Sequence, residues 1–501
     1  MKNCKFLLVI TGLLFFASCT KETHHVEKSI VSPKNKIIWT DAESQVLFQM
    51  RGKNNKVSME EVNLLANDAI RLLDGNKPVK SGTSRRIATI KPLSLAKKQS
   101  TSFRSSSGEE ETLSIPDTLA YLINFADSAG FTIIAADTRV ETPILAMAYS
   151  GTLGTETNYP GIGVFLEGTE HYLIRSITEA EQLKDSLMSD IVAKLYYAHS
   201  DSTSTKALSP GEYTIISSEL LDAGPWSPYY TKGPLLPVEW GQGNEYNEAF
   251  WNNVKNKKSC STCPAGCVAV ATAQIMSYWQ YPTVIGNSTF NWSLLIQYTG
   301  AGTPDLNKWT YNKNNVPQSL SNQIADLMEK IGAAVGMSYG CNESSADSDD
   351  AIKFLKNKGY TGGSKKDYDY KSVTSSLINN CPVYAYGYTT DNTFLGIHVS
   401  YSGGHAWVID GYRELARNVT LIVTYSGTPP NTPPTKANTT TWTEIVYTKQ
   451  YANHIHNNWG WAGDYNAWFV SGCFDSHTSV NSQDHSANFK YNNKIYVDLK
   501  H

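Results

Sequence analysis

Near residue 380 the apolar pattern of this 501-residue chain changes its period. Before it, "VAVATAQIMSYWQYP" and "SNQIADLMEKIGAAVGM" (321–337) carry apolar residues at helical spacing, the first ended by Tyr281-Pro282. After it come "CPVYAYGYT", "HAWVIDGY", "NVTLIVTYS", "TWTEIVYT", "AWFVSG" and "KIYVDL", which read as strands. Between the third and fourth of these, "GTPPNTPPTKANTTT" (427–441) reads as a loop. Helices first and strands afterwards predict an α+β plan, a helical subdomain beside an antiparallel one.

The first half adds further elements. "SMEEVNLLANDAIRLLDG" has helical spacing, with Ser58 and Glu61 as a capping box. Residues 118–151 alternate as antiparallel strands with Ala129-Gly130 as the turn, and 178–198 form an amphipathic helix opened by Thr178 and Glu181. Residues 20–35 read as a tether, and 95–112 as low-complexity loop. The Ser/Thr-rich stretch 199–212 has the character of an exposed, protease-accessible connection. We divide the chain into 1–18, 19–225 and 226–501. A net charge of −3 with no basic stripe argues against a nucleic-acid partner.

The first residues combine Lys2 and Lys5 with an apolar run from Phe6 to Phe16 and then Ala17-Ser18-Cys19. This resembles a bacterial lipoprotein signal, with Cys19 as the lipidated first residue of the mature chain; an ordinary cleaved signal peptide is the alternative. Either implies export, and the lipid would add a membrane contact. One departure is Phe16, where such signals usually carry Leu.

Three of the eight cysteines crowd into "SCSTCPAGC". A structural metal site needs four ligands, and no second Cys pair or His pair follows at a suitable spacing, so no metal and no cofactor is expected. Cys260 and Cys263 could pair as a disulfide. Cys267 differs, because Gly266 precedes it and an unbroken helix-forming run follows. A sulfur at a helix N-terminus meets free N–H groups and the helix dipole, which favour the nucleophilic thiolate. From this segment alone, a nucleophile and a merely buried cysteine are equally good readings. A base is offered by His405 in "SGGHAWVIDGY", 138 residues further on and within the roughly 130–150 residues typical of papain-type Cys-to-His spacing. His456 is the runner-up.

"GQGNEYN", "GCVAVATAQIM", "MSYG", "GGHAWVIDGY" and "NNWGWAG" occur in that order and together resemble the streptopain family of papain-like cysteine peptidases, which includes the interpain-type enzymes. The resemblance is dense from about 235 to 500, and residues 118–151 look like that family's inhibitory prodomain. It implies a papain-like α+β fold with the active site between the subdomains. Cys267 would be the nucleophile and His405 the general base and acid. Gln242 would supply the oxyanion-hole amide. Asn458 and Trp459 would sit behind the histidine, orient its ring and screen it from water, with Asn457 as the alternative to Asn458. His405 and Asn458 are 53 residues apart, more than streptopain itself uses, and the excess at 415–450 predicts an extra hairpin.

The function expected is an exported or lipid-anchored bacterial cysteine endopeptidase, made as a zymogen and acting on proteins or peptides. Its own prodomain is expected to be an inhibitory partner. A cell-envelope peptide amidase of the same fold, or an inactive surface-binding lipoprotein, are the alternatives.

Overall fold

The computed structural model of the chain describes residues 37–75, 84–95, 101–199, 213–243, 246, 263–299, 317–389, 391–400, 403–428, 439–475 and 493–501. Residues 1–18, Cys19, the tether 20–35, Cys260 and most of the 199–212 and 427–441 stretches lie outside the described residues.

Two short helices open the described chain. Helix α1 (Asp41–Gln49) starts with a full capping box, in which Thr40 and Glu43 satisfy each other's backbone N–H groups. Helix α2 (Met59–Asp74) is capped by Ser58, whose hydroxyl accepts from the Glu61 N–H. Helix α3 runs unbroken from Pro160 to His199. The sequence reading begins this helix eighteen residues too late, at Thr178. Gly161 is there for contact: a Cβ would lie 2.3 Å from the Trp459 indole.

Twelve strands form one sheet. In chain order they are β1 (Ile87–Ser94), β2 (Thr118–Phe125), β3 (Phe131–Ala135), β4 (Ile144–Ala148), β5 (Tyr213–Ala223) and β6 (Ser227–Lys232). Then come β7 (Ser364–Asp367), β8 (Val383–Tyr388), β9 (Gly404–Gly427), β10 (Thr440–Asn458), β11 (Ala467–Val470) and β12 (Lys494–Val497). The order across the sheet is β1-β2-β3-β4-β11-β10-β9-β8-β12-β7, with β5 and β6 also paired to β9. "HAWVIDGY" and "NVTLIVTYS", read as two strands, are one continuous β9. The turn at Ala129-Gly130 stands as expected. Gly130 has φ +102°, and a Cβ there would lie 2.0 Å from the Ala148 carbonyl oxygen.

The N-terminal strands and the later ones are thus a single sheet, joined at a seam where Ala146, Met147 and Ala148 of β4 pair with Phe469, Trp468 and Ala467 of β11. Helix α2 covers the first part, burying Leu65, Ala66, Ala69 and Leu73 against Ile123, Ile134 and Met147. Each such large apolar side chain contributes roughly 1.5–3 kcal/mol on burial. Helix α4 (Cys267–Trp279) is buried at every residue from Val268 to Ser277. A helix buried all round must be enclosed by other elements, and α4 lies between α5 (Gln318–Ala334), α6 (Ser348–Asn357) and strand β9. This is an α+β arrangement, with helices gathered on one part and antiparallel strands on the other.

The seam carries a buried histidine. The Nε2–H of His454 in β10 donates to the Ile144 carbonyl of β4 at 2.7 Å, and the ring is fully buried. Burial, aided by neighbouring Arg413 and opposed by the backbone carbonyl contacts, lowers its pKa to about 4. The unfolded chain binds a proton at this residue below about pH 6.5, whereas the folded chain does not. Stability contributed by the neutral ring is therefore complete above that pH and is lost as pH falls toward 4, by at most about 1.4 kcal/mol per unit. The expected outcome is a thermal midpoint that falls between pH 6.5 and 4, with a shallower fall in His454→Gln. Parallel curves for the two proteins would remove His454 as the source.

Candidate active site

Gly266 takes φ +93° to turn the chain into α4, and a Cβ there would lie 2.7 Å from the Met337 sulfur. Only glycine fits both conditions. The turn puts Cys267 at the first residue of the helix. The Cys267 thiol is pushed up by burial; the backbone N–H groups of Ala406, Val268 and Cys267 itself pull the other way without overcoming it, and Glu343 adds to the rise.

Strand β9 brings the base. Pairing of Gly387 with His405 and of Tyr386 with Ala406 sets the start of β9 beside β8, and β9 packs on α4. His405 is 3% exposed, and its Nε2 lies 2.8 Å from the Trp459 carbonyl oxygen. A carbonyl can only accept, so Nε2 carries the proton and Nδ1 is the basic nitrogen of the neutral ring. The imidazole is nearly parallel to Trp461 (6.0 Å, 14°) and to Trp407 (6.3 Å, 9°). Burial lowers its pKa to about 4, and the Trp459 carbonyl offsets part of that.

Cys267, His405 and Gln242 line one cavity of about 510 Å³. The Gln242 carbonyl accepts from the Ala265 N–H at 2.7 Å, which ties its loop to the turn before Cys267. Glu343 is the one carboxylate among the lining residues. Part of the wall comes from far upstream, namely Asn158, Tyr159 and Pro160 at the start of α3. Glu156 and Thr157 pair in parallel with His398 and Val399. The Tyr159 ring stands edge-on to Trp461 at 5.5 Å, and its hydroxyl donates to Asp464 at 3.2 Å.

Asn458 is placed differently from the expectation. Its amide Nδ2 donates to the Val238 carbonyl at 3.0 Å and its Oδ1 accepts from the Gly460 N–H, so its side chain makes no hydrogen bond to His405. Its polar atoms are spent on holding the turn that begins at Trp459. The hydrogen bond to the ring comes from the Trp459 main chain, whose own N–H is fixed by Asn466 at 3.0 Å. The Trp459 indole is 1% exposed and lies 6.1 Å from the imidazole. Asn457 does not line the cavity. His456, the alternative base, is buried against Asp410 at 2.6 Å and does not line the cavity either. Trp461 and Asn466 were not singled out from the sequence; the repeated Trp in "NWGW" was the available signal for the first.

Cys263 is a buried thiol outside any disulfide, which overturns the Cys260–Cys263 pairing; Cys260 itself lies outside the described residues, and a disulfide does engage Cys341. Among the described residues no group of three His, Cys, Asp or Glu side chains is arranged to hold a metal ion, and no helix is long and apolar enough to cross a membrane.

Residues 240–469 match the Peptidase C10 family. Streptopain of Streptococcus pyogenes serotype M28 is 31% identical over 202 residues, covering 35% of this chain and 48% of the relative. Streptopain of serotype M1 gives the same identity and coverage. The chain thus spans about half the length of the curated relatives it matches. Among solved structures, a prointerpain A fragment from Prevotella intermedia aligns with a TM-score of 0.40 and 18% identity, over 79% of this chain and 98% of that one. Active interpain A from the same organism aligns at 0.33 and 21%, over 54% and 95%.

With the thiol pKa raised and the imidazole pKa near 4, both groups are un-ionised at neutral pH in the intact chain. Alkylation by iodoacetamide, which needs the thiolate, is therefore expected to be slower at Cys267 than at an ordinary free cysteine at pH 7, and to speed up as pH rises. Peptide mass mapping after timed quenching reads this. Labelling of Cys267 in the intact chain faster than that of glutathione would contradict it.

Proposed function

We propose that this chain, whose residues 240–469 belong to the Peptidase C10 family, is an exported cysteine endopeptidase made as a zymogen. The observation that carries the reading is the meeting of Cys267, His405 and Gln242 in one cavity whose wall is completed by residues of the N-terminal half. In the working form, His405 Nδ1 takes the thiol proton, and the sulfur attacks a peptide carbonyl. The charge that develops on the carbonyl oxygen is held by the Gln242 side-chain amide and the Cys267 N–H. The imidazolium then protonates the leaving amine, and water hydrolyses the thioester through the same base. Trp459 keeps Nε2 protonated and so keeps Nδ1 available.

Residues 1–18 act as the export signal and Cys19 as the lipid-bearing residue, on the strength of the sequence pattern alone. The N-terminal region acts as an inhibitory prodomain. A first cut between 200 and 212 suits the fold better than one at 225, because β5 and β6 are hydrogen-bonded to β9. Protein or peptide chains are the substrates.

Under reducing conditions at neutral pH, the wild-type chain of 55.4 kDa is expected to shorten itself to a fragment a little over half that size and to digest casein. Cys267→Ala is expected to do neither; casein digestion by an unprocessed Cys267→Ala protein sinks the assignment. Gln242→Ala is expected to lower kcat by about 10²–10³ with little change in KM, as for loss of one oxyanion donor. An unchanged kcat would remove Gln242 from that role.

A further inference from the structure

We infer that the hairpin arm made by β9 beyond Leu415 and the facing part of β10 is a second docking surface for the chain's own N-terminal region. It would hold that region in place after the chain has been cut between 200 and 212. The inference rests on the zymogen reading above and adds to it a contact remote from the cavity.

The arm is the excess connection between His405 and Asn458. Its two strands stay paired from Arg417↔Gln450 out to Gly427↔Thr440. Leu421, Val423 and Tyr425 alternate onto one face and are fully buried, joined there by Trp442, which pairs with Tyr425. The other face is open to solvent: Tyr447 is 75% exposed and Ile445 41%. A two-faced sheet extension needs something to cover its apolar side.

The cover comes from the N-terminal half. Leu47 and Phe48 of α1, with Ile191 and Leu195 of the far end of α3, share one buried cluster with the arm. The two helices are bound to each other by Lys194 and Glu43 at 2.7 Å. At the base of the arm, Arg417 is 5% exposed, bonded to Gln450 and set over the Phe48 and Trp226 rings. None of these residues lines the cavity.

The connectivity decides what a cut would do. Strands β5 and β6 pair along β9, so everything after residue 212 stays with the peptidase part by main-chain hydrogen bonds. Everything before 200 stays by side-chain packing on the arm and by the separate contacts at the seam and the cavity. One cleavage removes the covalent link and leaves these attachments intact. Release then needs a second event that breaks the α1–α3 cover, and until then the cleaved N-terminal region blocks the cavity in trans.

The test uses the full chain carrying Cys267→Ala, with the 201–206 stretch replaced by the recognition site of a specific protease, cut to completion and run on size exclusion at micromolar concentration. The two fragments are expected to co-elute at the position of the uncut chain. Val423→Asp on the arm and Leu195→Asp on α3 each place a carboxylate in the cluster, and each is expected to make the fragments elute separately. Tyr447→Asp, on the open face of the same arm, is expected to leave them together. Leu195→Asp keeps the test meaningful if Val423→Asp disturbs the arm itself, since it lies outside the peptidase part. Separation of the fragments in the parent chain, or co-elution in both buried variants, would overturn the inference. Because the chain is inert and the readout is association, either result leaves the peptidase reading to its own assay.

Discussion

The hydrogen bond from His405 Nε2 to the Trp459 carbonyl is the contact on which the proposed chemistry of the cavity depends. It leaves a neutral imidazole with one basic nitrogen, and it makes that outcome depend on backbone rather than on a rotatable side chain. The carbonyl is itself held, through the Trp459 N–H, by Asn466, and the turn that follows is held by Asn458. A main-chain acceptor costs less entropy to position than a side-chain amide, because the sheet has already ordered it. The aromatic stack around the ring then keeps water from competing for the bond.

That enclosure has a second consequence. The burial that protects the hydrogen bond also disfavours the imidazolium, and burial of the thiol disfavours the thiolate. An ion pair between them must be formed against both costs, which argues for a working cavity more open than the one seen with Tyr159 against Trp461. On the zymogen reading proposed above, the latent and working forms would differ in hydration of the pair, with the strand and helix that carry each group left in place. The shared sheet fits this view. Its seam of three paired residues between β4 and β11 is short beside the pairing within either half.

Much of this was legible in the sequence, for identifiable reasons. Helix α4 shows because an unbroken apolar run after a glycine has no other stable outcome, and Cys267 with it. His405 shows because two glycines and a strand fix its place. The length of α3 does not show, since Gly161 is chosen for its contact with Trp459, and a contact between residues some three hundred positions apart leaves no local mark. The part played by Asn458 was misjudged in kind: the residue sits near the site, but its amide faces Val238. Which atom of a turn reaches a ring depends on the path of the backbone, and residue type does not encode it. The Thr40–Glu43 capping box is legible in the same local way, as a Thr three residues before a Glu.

The hairpin arm was visible as surplus length, but its purpose was not. Alternation along "NVTLIVTYSG" specifies one apolar face without saying what covers it, since any apolar surface of matching shape would serve. The cover turns out to be assembled from two helices separated by 110 residues of chain, Gln49 ending one and Pro160 starting the other, and tied to each other by Lys194 and Glu43. Such a cover can be lost as a unit, because removing either helix strips the other of its ion pair and of part of its apolar support. A docking surface built this way gives a cleaved chain few partly released states, in contrast to one in which each helix is held on its own.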